Sequence, residues 1–195
     1  MTTTVTPLSA DDERRSLGYL GMVLFLGSWV MMFGALFFVY AGLRARASGW
    51  PPPGTLPLPL LLPGLSSLVI VVSSFTLQAG VRCVQQGRAF AFAPWLLATI
   101  VIGSLFLALQ VSVWTTLWHS GLQPSSGIYG SIFYLLTVFH FLHVVVGLGL
   151  LLWQVPAALR RAIGAPRRVP IKLISMFWHF VTIVWVAIYL TVYVF

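Results

Sequence analysis

Five long apolar runs separated by four short polar breaks set out the plan of this chain. The runs are Leu17–Leu43, Leu58–Val81, Pro94–Leu117, Ile128–Leu159 and Ile171–Phe195. A hydrocarbon layer about 30 Å thick is crossed by about 20 helical residues, and a barrel strand needs only about 10. Backbone in lipid must also satisfy its own hydrogen bonds, so the runs predict helices. The expected fold is all-α, a polytopic bundle of five transmembrane helices over residues 17–195, with a polar tail over residues 1–16.

The breaks differ in chemistry. Ser48–Pro59 holds five prolines and cannot continue a helix. Gln85–Pro94 is a short polar link, His119–Gly127 an uncharged turn-rich loop, and Arg160–Pro170 the most basic stretch of the chain. Pro63 and Pro156 fall inside runs and blur two boundaries. The tail lacks the basic start and small-residue cleavage site of a secretory signal, which predicts a cytoplasmic segment followed by a retained first span.

Composition agrees with the pattern. Of the 195 residues 59% are hydrophobic and 7% charged, where a soluble domain carries about a quarter charged residues. The net charge of +8 does not point to nucleic acid, because the basic residues sit at the ends of apolar runs, where they set orientation. With the N-terminus and the second and fourth links on one side, that side holds nine of the eleven basic residues, and the other only Arg44 and Arg46. The positive-inside rule then places the N-terminus in the cytoplasm and the C-terminus outside. Cys83 stands alone, so no internal disulfide exists; its place beside Arg82 and Arg88 predicts the reducing side.

Within the spans, small residues are expected where helices approach closely: Gly18, Gly21, Gly27, Ser28, Gly34, Ala35 and Gly42 in the first, Gly147 and Gly149 in the fourth. Ser67, Ser74 and Gln78 form one polar stripe on the second span, suited to interhelical hydrogen bonds. Trp50, Trp95, Trp118 and Trp178 lie near predicted span ends, as interfacial belts do.

All three acids, Asp11, Asp12 and Glu13, lie in the tail, so no span carries a carboxylate. Proton relays through membranes normally use such groups, which argues against a pump or proton-coupled carrier acting alone. Histidine is the remaining chemistry. His140 and His143 share a face of the fourth span, His179 stands near the start of the fifth, and His119 marks the third loop. Membrane histidines can ligate haem or copper, but His140 and His143 are expected one to two turns in from the outside and His179 near the cytoplasmic end. That mismatch of depth argues against a shared haem and for neutral, hydrogen-bonded histidines. Arg160, Arg161, Arg167, Arg168 and Lys172 form a cluster that sets topology and suits anionic phospholipid heads.

Three segments carry a family resemblance. GMVLFLGSWVMMFGALFFVY (Gly21–Tyr40) resembles the first helix of the short, five-helix form of haem–copper oxidase subunit III. GIYGSIFYLLTVFHFLHVVVGL (Gly127–Leu148) resembles that family's aromatic-Thr-x-x-His-x-x-His-Val-x-x-Gly pattern, and WHFVTIVWVAIYLTVYVF (Trp178–Phe195) its terminal helix. The paired serines Ser66 and Ser67 and the Phe106 to Gln110 run are weaker echoes.

The resemblance implies a non-catalytic subunit of a bacterial inner-membrane terminal oxidase that reduces oxygen to water. Haem and copper are then expected in the partner catalytic subunit I, with none in this chain. Its implied partners are subunit I directly, subunit II, the other subunits and bound phospholipid. The implied roles are holding lipid, supporting proton uptake and prolonging the life of the active site. His140, His143, Trp178 and His179 match motif positions and carry over as structural and lipid-facing sites; Arg167, Arg168 and Lys172 join them as lipid or subunit-interface candidates. The family's usual carboxylates are replaced by Trp29, Val113 and Thr182, which implies packing and lipid holding rather than proton chemistry at those positions. An accessory subunit of a nitric oxide reductase, a membrane haem cytochrome using the histidines, and a small permease built on Gln110 and the serine stripe stay open as alternatives, as does a quinol in place of cytochrome c as donor.

Overall fold

A computed structural model describes residues 10–50, 60–160 and 163–194, with residues 10–15 and 165–167 described as backbone. Residues 1–9 of the tail, residues 51–59 of the proline-rich link, and Arg161 lie outside the described residues. Five helices follow one another: α1 (Ala10–Arg46), α2 (Leu61–Gln85), α3 (Phe92–His119), α4 (Ile128–Leu159) and α5 (Ala165–Ile188). A 3-10 turn, Ala89–Ala91, leads into α3, and Tyr189–Val194 continues α5 as a π-helix. All five are long and apolar enough to cross a membrane.

Local chemistry sets the ends. Helix α1 begins at Ala10, ahead of its apolar run. Pro63 sits in the first turn of α2, where its missing N–H costs nothing. Helix α2 stops at Gly87, whose φ of +76° a side chain would strain; Arg88 N–H then donates to the Cys83 carbonyl at 2.9 Å. Gly121, at φ +91°, ends α3 the same way, with Leu122 N–H on the Leu117 carbonyl at 3.0 Å. Helix α5 starts at Ala165, six residues before its apolar run, because Pro166 is pre-set for a helix's first turn. Part of the basic link is therefore helical.

Helices α2, α3, α4 and α5 close a ring, each packed on the next and α5 back on α2. Helix α1 lies outside it, against α5. Trp178 fills the ring. It is 0% exposed, its Nε1 donates to Ser73 Oγ of α2 at 3.1 Å, and a Cβ placed on Gly103 of α3 or Gly147 of α4 would come within 2.9 Å of its rings. The indole thus touches every other helix of the ring. This corrects the expectation of an interfacial belt at Trp178, whereas Trp95 and Trp118 are indeed exposed near helix ends.

A ladder of polar contacts joins α2 to α5. Trp185 Nε1 donates to Ser67 Oγ at 3.0 Å, Trp178 to Ser73, and Ser74 and Gln78 both meet His179. The expected stripe of Ser67, Ser74 and Gln78 therefore does face the bundle. In lipid, where no hydrophobic drive joins helices, each such bond contributes on the order of 0.6 kcal/mol, up to about 2.

The small residues of α1 behave differently from expectation. Gly21, Gly27, Gly34 and Gly42 meet nothing within 4 Å, and so does Gly149; of the glycines expected at close approaches, Gly18, beside Leu173 and Val169, and Gly147 are the ones approached. Phe33 and Tyr40 are the only buried side chains of α1 among the described residues. Aromatic contacts hold the helix: Phe25 on Phe177, Trp29 and Phe33 on Phe139 and His143, and Tyr40 under Trp50, whose Nε1 donates to the Tyr40 hydroxyl at 3.1 Å.

Candidate functional site

Two places gather the chain's polar chemistry. The first is the middle of the bundle. His143 is the sixteenth of the 32 residues of α4, and His179 the fifteenth of the 24 of α5, so both lie near mid-helix. The expected mismatch of depth is not present; direction separates them instead. His140 and His143 face α1 and α3, and His179 faces α2.

His179 is fully engaged. Its Nε2 donates to Gln78 Oε1 at 3.0 Å, which leaves Nδ1 to accept from the Ser74 hydroxyl. The Nε2–H tautomer satisfies both contacts. His143 Nδ1 donates to the Phe139 carbonyl at 2.6 Å, and the Trp29 ring stands edge-on to the imidazole at 4.0 Å. His140 is 1% exposed among Phe33, Phe106 and Trp185, with neither ring nitrogen paired among the described residues. His140, His143 and Trp178 are thus packed inside the protein, which fits a structural role and corrects the lipid-facing expectation. Among the described residues, no three of His, Cys, Asp and Glu gather where they could hold a metal ion. The walls of His140 are the Phe33, Phe106 and Trp185 rings, with centroids 6.4, 6.3 and 5.2 Å from its own.

Trp29, Val113 and Thr182, the positions expected to replace family carboxylates, hold side chains packed between helices. Trp29 fills the gap between α1 and the His143 face of α4. Val113 is buried in the core. Thr182 is buried and its hydroxyl donates to the Trp178 carbonyl, one turn back, at 3.0 Å.

The second place is the end of the bundle shared by the start of α1, the end of α2 and the start of α5. Tyr19, Val84, Gln85, Arg168 and Lys172 surround a cavity of about 360 Å³ there. Lys172 Nζ lies 5.2 Å from the centre of the Tyr19 ring, a cation–π contact. Arg160 is exposed at the end of α4, and Arg167 lies on the first turn of α5 as backbone. Sequence patterns named Arg168 and Lys172 but missed Tyr19 and Gln85, whose types are common at span ends. Ser73 was missed too, although Ser66, Ile70, Ser73 and Leu77 form a three-four repeat that marks the buried face of α2.

Comparison with known proteins bears on the whole chain. The profile of the family "Cytochrome c oxidase subunit III" matches residues 13–195. The "Probable cytochrome c oxidase subunit 3" of Nocardia farcinica is 37% identical over 202 residues, covering 99% of this chain and 98% of that protein. Its counterpart from Mycobacterium tuberculosis is 36% identical, covering 98% and 94%. The "Cytochrome c oxidase subunit 3" of Thermostichus vulcanus is 31% identical, covering 97% and 94%. These matches lend no support to the nitric oxide reductase, cytochrome or permease alternatives. The chain belongs to the cytochrome c oxidase subunit III family.

Proposed function

We propose that this chain is the non-catalytic subunit III of a haem–copper terminal oxidase in a bacterial inner membrane, packed directly beside subunit I and joined by subunit II. Haem and copper reside in the partner catalytic subunit, where oxygen is reduced to water; this chain supplies shape, lipid and support for proton uptake. The observation that carries this is the family match from residue 13 to residue 195, through all five spans.

The residues favour support over chemistry. No span offers a carboxylate, and the three positions where one is usual hold packing groups. The basic end faces the cytoplasm in this proposal, with Arg82, Arg88, Arg160, Arg168 and Lys172 at one end of the bundle. There the cavity between α1, α2 and α5 takes the head of an anionic phospholipid, with Arg168 and Lys172 toward its phosphate.

The test compares oxygen consumption by the oxidase complex with and without this chain. The expected result is similar initial turnover and faster loss of activity over repeated turnovers when the chain is missing. Loss of the very first turnovers would assign it to catalysis, and an unchanged lifetime would remove its supporting role.

A further inference from the structure

The outer side of α5 carries a line of residues that no helix of this chain fully covers. Lys172, Met176, His179, Ile183 and Val186 recur at steps of four and three, so they share one face. All five are half-buried or exposed, Ile183 most of all among the apolar ones at 66%. The line runs between the residues of α5 that meet α1 (Val169, Leu173 and Phe177) and those that meet α2 (Trp178 and Trp185). Helices α1 and α2 therefore stand as walls on either side. Tyr19, Gln85 and Lys172, one from each helix, line the Arg168–Lys172 cavity where the groove begins.

The Ser74–His179–Gln78 cluster lies in this groove and has one donor to spare. The Ser74 hydroxyl and Gln78 Oε1 occupy the two nitrogens of His179, which leaves Gln78 Nε2 with no hydrogen-bond partner among the described residues. Unlike the carboxamides of Gln110 and Gln154, this nitrogen is open rather than enclosed. Gln78 stands seven residues before the end of the 25-residue α2. At about 1.5 Å per residue, that is about 7 Å inside the boundary of a hydrocarbon layer about 30 Å thick. Hydrocarbon offers nothing to accept from an N–H, so the open donor is costly until a polar group meets it. A phospholipid seated by its head in the Arg168–Lys172 cavity presents only acyl chain at this depth. A second copy of this chain would bring a groove to a groove, and two concave faces do not fill one another. A single helix does fit between two walls.

We propose that the groove over α5 docks one transmembrane helix of a neighbouring subunit, which places a side-chain oxygen on Gln78 Nε2. Met176, Ile183 and Val186 pack against its apolar side chains at the three- and four-residue steps by which paired helices interlock. The inference rests on the reading of this chain as a subunit of a larger complex, and adds to it a surface and the chemistry of the partner.

The test places benzoylphenylalanine at Phe75, an exposed site on α2 one turn before Gln78, and at the exposed Trp153 of α4 as a control. Membranes are irradiated, the complex is purified and the joined peptides are sequenced. The Phe75 probe is expected to join a transmembrane segment of another subunit, within one turn of a side chain bearing oxygen, at least threefold more than the control does. Gln78→Leu should lower that yield about three- to tenfold. Ile183→Trp fills the groove without touching the hydrogen bonds of His179, and should abolish it. The thermal midpoint of each purified variant chain separates misfolding from loss of contact, and the segment joined in the unsubstituted chain decides the matter if both variants misfold. Joining only to lipid or to another copy of this chain, a joined segment with no such side chain, or a yield indifferent to both substitutions in folded chains overturns the proposal. A complex that co-purifies without any link at Phe75 overturns this proposal alone; the absence of any co-purifying subunit overturns the proposed function with it.

Discussion

Trp178 is the residue on which the ring depends, because its indole fits only where Gly103 and Gly147 carry no side chain. Gly103→Ala places a methyl about 2.9 Å from that ring, and overpacking of this kind costs about 1–3 kcal/mol. Thermal unfolding of the purified subunit should fall accordingly, whereas Gly149→Ala, with nothing within 4 Å, should leave the midpoint unchanged. Ser73→Ala removes the acceptor of Trp178 Nε1 and strands a buried donor, at about 1–2 kcal/mol. The same thermal scan should register that loss, with Ser112→Ala on an exposed face as the silent control. Trp29→Glu tests the replaced carboxylates. If Trp29 only packs, turnover of the complex stays near wild type; a large loss or gain would show that this position takes part in proton movement.

At the scale of the helix, hydropathy made the five spans legible to within a few residues at most ends, because crossing a membrane needs only local composition. The serine stripe of α2 was legible for the same reason: polar groups in a lipid-spanning helix turn inward. Close approach was not. The glycines of α1 look like a packing seam, yet contact is decided by which helix carries the large ring, and Trp178 sits on α5 opposite α3 and α4. Of the histidines expected to be neutral and hydrogen-bonded, His143 and His179 do make hydrogen bonds while His140 makes none among the described residues, and the depth argument failed, since more than three turns of α4 precede His140. The early start of α5 brings Arg168 onto the same helix as Lys172 and beside Tyr19, which composition alone does not reveal. Replacing both by glutamine should lower the phospholipid phosphorus retained through detergent purification and weaken that retention's dependence on salt, since each cation near the head contributes about 1 kcal/mol. Equal phosphorus in variant and wild type would remove the lipid site.

Across the whole molecule, the ring of α2 to α5 is tied by polar contacts and interlocked glycines, while α1 is held mainly by aromatic contacts and buries only Phe33 and Tyr40 in its span. Such a body has neither a gathered metal-ligand set nor a charged midplane among its described residues, and its chemistry lies at its ends. Family membership and this architecture lead to one central claim, that the chain works as part of an oxidase. The most direct measurement is mild-detergent purification of the tagged, full-length chain, followed by a visible spectrum, oxygen-consumption assay and identification of the proteins that accompany it. Co-purification of a haem-bearing subunit with oxygen-reducing activity is the predicted result; a colourless chain recovered alone from gentle extraction would contradict it.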